Sequence, residues 1–98
     1  MIRVLLPVNL QRLLNTGREI EIDIVDAVTT ASILDALEAR YPALRGTLRD
    51  QVTHQRRDFI RFFACGEDFS LIDPDTPLPE GIASGTERFM IIGAMAGG

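Results

Sequence analysis

Two kinds of strand can be told apart in this chain, and the contrast between them restricts its fold more than any other feature. Residues 18–25 alternate cleanly, with Ile20, Ile22 and Ile24 on one side and Glu19, Glu21 and Asp23 on the other. That period of two describes a strand with one buried and one solvated face. Residues 2–8 differ: Ile2, Val4 and Leu6 share one face, yet Leu5 stands beside Arg3 on the second. Residues 87–92 go further, with Phe89 and Ile91 on one face and Met90 and Ile92 on the other. A strand that is apolar on both sides belongs in the middle of a covered sheet. The first and last strands are therefore expected to lie centrally and in parallel, with the alternating strand beside them.

The segments between these strands complete the outline. Asn9 to Gly17 reads as a turn region closing an opening β-hairpin. Thr29, Thr30 and Ser32 offer N-caps for a helix in which Ile33, Leu34, Leu37 and Tyr41 recur at helical spacing, and Pro42 ends it. Residues 43–58 are polar, with one helical turn expected near Leu44 to Leu48. A third strand runs from Phe59 to Cys65, and residues 73–81 hold three prolines that bar regular structure. The order hairpin, helix, strand, long loop, strand implies an α+β fold. It is the β-grasp, or ubiquitin-like, arrangement: a mixed four- to five-stranded sheet with one main helix packed on one face. Residues 1–93 form the expected domain and residues 94–98 a flexible tail.

Composition narrows the functions available. Ninety-eight residues, 46% apolar and 24% charged, suit one soluble domain. No apolar run approaches a membrane-spanning length, and residues 1–7 lack the features of a signal peptide, so a cytoplasmic location is expected. A net charge of −4 argues against nucleic acid as the main partner. The one cysteine, Cys65, excludes an internal disulfide or a cysteine-only metal site, and no metal ligand set is expected. His54 stands apart from any carboxylate or thiol cluster. All ten basic residues are arginine. Without lysine, the chain cannot form a Schiff base or accept an isopeptide bond on a side chain.

The sequence closes on Gly97-Gly98 behind the short run Ala94-Met95-Ala96. Glycines lack a Cβ, so such a tail can extend through a slot too narrow for other residues. A terminal Gly98 carboxylate is unhindered, and it is inert at neutral pH until it is activated, for example as an acyl-adenylate. The ordinary alternative is a frayed, functionless end. Chance alone would place two glycines there in about 0.5% of chains.

In layout, and most sharply in residues 76–81 and 85–98, the chain resembles the bacterial ThiS and MoaD sulfur carriers. The matching features are a polar turn, a hydrophobic strand and a small-residue tail. Its length and the extra loop at 46–57 are most similar to the longer carriers used in cysteine biosynthesis. It departs from the family pattern at Cys65-Gly66, where Asn-Gly is common, and at Gly93, where proline is common. The resemblance implies that an E1-like adenylyltransferase, using ATP and Mg²⁺, activates Gly98, with Gly97 in the slot. A sulfur donor then displaces AMP to leave a thiocarboxylate, which an acceptor enzyme of thiamine, molybdopterin or cysteine type consumes. The chain would be a co-substrate and not an enzyme, and would itself bind no cofactor.

Besides tail residues Ala94, Met95 and Ala96, a partner surface is expected on the sheet. Phe59, Arg61, Phe63 and Cys65 share one face of the third strand, and Ile60, Phe62 and Ala64 the other. Only one face can cover the helix. The open face would set a phenylalanine-rich strip beside Leu5 and either Phe89/Ile91 or Met90/Ile92. Phe59, Phe63, Phe89 and Ile91 are taken as partner-binding, since large apolar patches on a monomer mark interaction sites. The competing expectation is that loop 66–86 folds over this face and buries it. Arg45, Arg49, Arg56, Arg57 and Arg61 read as a solvated face that can also steer the domain electrostatically. Cys65 reads as inert packing. Three rival functions stay open: a β-grasp interaction module whose tail is never activated, the small subunit of a molybdopterin-synthase-like complex, and a ubiquitin-like protein tag.

Overall fold

The alternation in the first residues becomes β1 (Ile2–Leu5), with Ile2 and Val4 buried and Arg3 and Leu5 half-buried on the second face. It pairs antiparallel with β2 (Glu19–Ile22) through Ile2 opposite Ile22 and Leu5 opposite Glu19. It pairs in parallel with β5 (Phe89–Gly93) through Val4 opposite Phe89 and Leu5 opposite Met90. β3 (Ile60–Ala64) lies antiparallel on the far side of β5, and the two-residue β4 (Glu67–Asp68) completes the sheet. The order β2-β1-β5-β3-β4 puts the two doubly apolar strands at the centre. The computed structural model describes residues 1–93; residues 94–98 lie outside the described part.

One face of this five-stranded sheet packs against α2 (Thr30–Arg40). Thr29 accepts from the Ser32 amide at 3.0 Å while Ser32 Oγ accepts from the Thr29 amide at 2.8 Å, a reciprocal cap. Such a cap contributes about 1 kcal/mol to holding the helix start. Ile33, Leu34 and Leu37 are buried against the sheet, each side chain stabilising by about 1.5–3 kcal/mol when fully covered. The helix stops at Arg40, and Pro42 opens a 3₁₀ turn, Pro42–Leu44. Val4, Ile33, Leu37, Leu44, Leu48, Ile82 and Phe89 form the driest part of the core.

Three connections differ from the sequence reading. Residues 9–17 are not a hairpin corner: α1 (Val8–Leu14) occupies most of the link between β1 and β2. Leu10 faces inward from it, and Asn15 closes it in a left-handed conformation. The long loop 66–86 is not irregular throughout as expected, and it leaves the open sheet face uncovered, the outcome that the partner-surface reading expected. It turns Phe69, Leu78 and Ile82 into the core and contains the short α3 (Glu80–Ala83). At its end Gly85 has φ +79°, and a Cβ there would lie 2.6 Å from the Met1 carbonyl oxygen, so the approach to the first strand requires glycine.

The third difference concerns Arg49, which is buried and not solvated, at 4% exposure. Its Nε and Nη2 donate to both oxygens of Glu38 at 3.0 Å, and Nη2 also donates to Asp35. Burial alone would lower the guanidinium's pKa; the Glu38 and Asp35 carboxylates more than reverse this, and it is raised. This fork ties segment 46–58 to α2. Arg56 serves the same segment, donating to the Ser70 and Ile60 carbonyls.

Candidate partner interface

Among the described residues, no helix covers the second face of the sheet. The strand registers align Glu19, Leu5, Met90, Phe63 and Asp68 in one row across all five strands. Opposed side chains in such a row stand about 5 Å apart and form a continuous strip. The middle of the row is apolar and its ends are carboxylates. Met90 is 38% exposed and Leu5 and Phe63 are half-buried, so the strip is open to a partner. One step along β5, Ile92 is 39% exposed opposite Arg61. Thr86, at the end of loop 66–86, and Glu87 after it border this face. Arg88 reaches Glu19 across the strip at 2.5 Å, and Arg61 pairs with Asp68 at 3.4 Å. An apolar centre with a charged rim is the usual anatomy of a protein–protein contact.

Two expected contact residues lie elsewhere. Phe89 and Ile91 point to the covered face, at 0% and 3% exposure, because β5 alternates and α2 claims that side. Phe89 stacks on Phe62 with ring centroids 5.7 Å apart. Met90 and Ile92 take the surface role instead, with Leu5. Both faces of β5 are apolar, so period alone could not choose between them; the parallel register with β1 does, since Val4 and Phe89 are partners. Phe63 lies on the open face as expected. Phe59 is exposed, at 65%, but lies outside β3 with φ +71°. Its ring leaves the strand's alternation.

Cys65 is exposed. With φ +52° it forms, with Gly66 at +77°, the tight corner between β3 and β4. Two successive left-handed residues make the primed turn that matches strand twist, which explains why Asn-Gly suits this corner so well. Nearby carboxylates act as turn caps. Asp50 is held below the ordinary aspartate range by the amides of Thr53 and Val52, and Asp68 by the Ser70 hydroxyl and amide.

The last described residue, Gly93, pairs with Ile60 and lies near Asn9 and Pro7. Because β1 and β5 are parallel, the start of α1 and the end of β5 meet at one end of the sheet. Gly97 and Gly98, with Ala94, Met95 and Ala96, fall outside the described residues. Among the described residues, no group of three His, Cys, Asp or Glu side chains is placed to hold a metal ion. No helix among them is long and apolar enough to cross a membrane.

Solved structures share this arrangement over nearly the whole chain. Small archaeal modifier protein 1 (SAMP1) from Haloferax volcanii superposes with a TM-score of 0.73 at 20% identity, covering 98% of this chain and 97% of that one. CysO, solved in complex with BexX from Amycolatopsis orientalis, gives 0.76 at 21% identity over all of both chains. SAMP1 from Methanosarcina acetivorans gives 0.70 at 18%, covering 98% and 94%. The chain has their β-grasp, ubiquitin-like fold. No family model and no curated protein matches the sequence.

Proposed function

We propose that this protein is a sulfur carrier whose Gly98 carboxylate is converted to a thiocarboxylate. The observation that carries the reading is continuity. The open strip of Leu5, Phe63, Met90 and Ile92 runs along β5 to Gly93, directly before the Ala-Met-Ala-Gly-Gly segment. A partner seated on the strip is correctly placed to take a narrow tail into its active site. The likeness of that tail and strand to the ThiS and MoaD carriers supports the same reading.

The chemistry follows from the carboxylate. Gly98 attacks the α-phosphate of ATP, held with Mg²⁺ by an E1-like enzyme, and releases pyrophosphate. Sulfide adds to the acyl-adenylate carbonyl and AMP leaves, which gives the thiocarboxylate with no change of oxidation state. The thiocarboxylate is a soft, strong nucleophile ready for transfer to an acceptor. The fold contributes recognition and presentation, and the partner contributes the catalytic groups.

Intact-mass spectrometry of chain purified from its own host, with the C-terminus free of any tag, tests this. The expected result is a fraction heavier by the difference between sulfur and oxygen, localised to Gly98 by fragmentation. A plain carboxylate throughout, even after incubation with ATP and host extract, overturns the reading in favour of an interaction module.

A second reading is favoured by the fold shared with two proteins named as archaeal modifiers. The same activated carboxylate can acylate a lysine of another protein. This chain has no lysine, so it can cap a target but cannot extend a polymer through its own side chains. Host proteins bearing a Gly98 isopeptide remnant would identify that use.

A further inference from the structure

The two connections unlike a simple hairpin and loop, α1 and segment 46–58, converge at the end of the sheet where β5 finishes. Between them runs a groove of about 460 Å³. Leu10 and Leu13 form one wall, Gly46 and Thr47 the other, and Asn9 and Ile60 stand at its head. Asn9 and Ile60 are also neighbours of Gly93, so the groove begins where the chain leaves the sheet. Leu10 anchors α1 in the core at 4% exposure, while Leu13, one turn on, is left 49% exposed beside the groove.

The groove's charged lining is Arg57 and Asp58, and two further arginines adjoin its walls in sequence. Arg57 lines it, its Nε donating to the Gly46 carbonyl at 2.8 Å, which fixes the guanidinium at the rim. Arg12 and Arg45 are exposed beside Leu13 and Gly46. Among the described residues none of these three arginines forms an ion pair, whereas Arg3, Arg49, Arg61 and Arg88 all do. The one carboxylate lining the groove is Asp58. Three arginines, set against Asp58 and against Asp50, on which Arg57 acts, leave this end locally positive in a chain of net charge −4, a field favouring acidic partners.

We infer that the groove between α1 and segment 46–58 is a docking site for an acidic segment, anchored by a large apolar side chain, on the enzyme that receives the tail. The apolar anchor lies against Leu10 and Leu13, and flanking carboxylates meet Arg57, Arg12 and Arg45. The site rests on the carrier reading and deepens it. The sheet strip supplies area, and the groove supplies charge selectivity next to the entering tail. Paired charges at an interface act mainly on encounter rate and on the choice of partner.

The test is the rate at which the full chain gains sulfur in host extract with ATP, followed by intact mass. Wild type is compared with Leu13→Asp, Arg57→Glu and Arg57→Lys. Both substituted side chains, Leu13 and Arg57, are exposed, and circular dichroism melts check that each variant folds. Leu13→Asp and Arg57→Glu are expected to load about tenfold more slowly at low salt, Arg57→Lys near the wild-type rate. Raising the salt should slow wild type and narrow its gap to Arg57→Glu. Loading of both variants at the wild-type rate overturns the groove while leaving the carrier intact. A wild-type chain that never gains sulfur overturns the carrier reading instead. Amide spectra of the full chain and of a chain lacking residues 94–98 address the other occupant. Shifts concentrated at Leu10, Leu13, Gly46 and Thr47 would assign the groove to the tail itself and overturn the proposal.

Discussion

Replacing Arg49 by methionine should unfold this domain at a markedly lower temperature. The guanidinium is 5% exposed and makes a two-pronged contact with Glu38, itself only 14% exposed, plus a third contact with Asp35 at 66%. The Asp35 contact counts for little, because water solvates that carboxylate almost as well as arginine does. Glu38 is the costly orphan. Breaking a buried pair by removing one partner costs about 3–5 kcal/mol, and Glu38 keeps some water, so we expect about 2–4 kcal/mol. For a domain of this size that corresponds to a melting point lower by roughly 10–25 °C.

A second substitution separates this argument from simple loss of packing. Arg49→Met combined with Glu38→Leu removes both charges from a site that already lies among apolar groups. Swapping a buried pair for apolar residues of similar volume is close to neutral, so the double variant should recover to within about 1 kcal/mol of wild type. Urea unfolding followed by circular dichroism gives both differences from the midpoints, provided the slopes agree. A single variant within about 0.5 kcal/mol of wild type would refute the reasoning, because that is the range of an ordinary surface change. A double variant no better than the single would show that packing, and not charge, holds segment 46–58 to α2.

Three smaller tests follow from backbone conformation and caps. Cys65→Asn places the residue best suited to φ +52° at the β3–β4 corner, and should raise stability by about 0.5–1 kcal/mol in thermal or urea unfolding, with the exposed thiol removed. Phe59→Asn relieves a bulky side chain at φ +71°, so stability should rise by about 1 kcal/mol; slower sulfur loading in the same variant would show that the exposed ring binds a partner. Asp50 and Asp68 have depressed folded-state pKa values, so their contributions are present above the unfolded aspartate value near 4 and fade as pH falls through the lower folded values. Urea midpoints should therefore fall on acidification below about pH 4, and Asp50→Asn with Asp68→Asn should flatten that part of the profile.

What the sequence disclosed follows the range over which its signals act. Ile20 and Ile22 against Glu19 and Glu21, and the Thr29/Ser32 cap before Ile33, are local patterns, and the folded chain honours them. The central parallel pair was legible because Leu5, Met90 and Ile92 make sense only on a sheet with apolar groups on both sides. Arg49 was not legible: its partners lie 11 and 14 positions away, and nothing in its polar neighbourhood marks it as buried. α1 was hidden for a different reason. Leu10, Leu13 and Leu14 have helical spacing, but a seven-residue helix is far below the length that is stable alone. It forms because Leu10 is anchored in the core and Asn15 closes it.

That same helix bears on how carrier and interaction module can be distinguished. A module that uses only its sheet needs the strip of Leu5, Phe63 and Met90, and gains nothing from features at the end of β5. Here the chain places Leu13 and Arg57 around that end and keeps Phe59 exposed in a conformation that costs stability. Strain in an exposed aromatic persists only where the surroundings enforce it, and here they do. Ile60 donates to the Arg57 carbonyl at 3.2 Å, and Arg56 donates to the Arg57 and Ile60 carbonyls on either side of Phe59. The proposed partner contact gives this enforced exposure a use. Substitutions there should therefore change what happens to the tail more than they change the fold, whereas Phe89 and Ile91, buried in the core, should do the opposite.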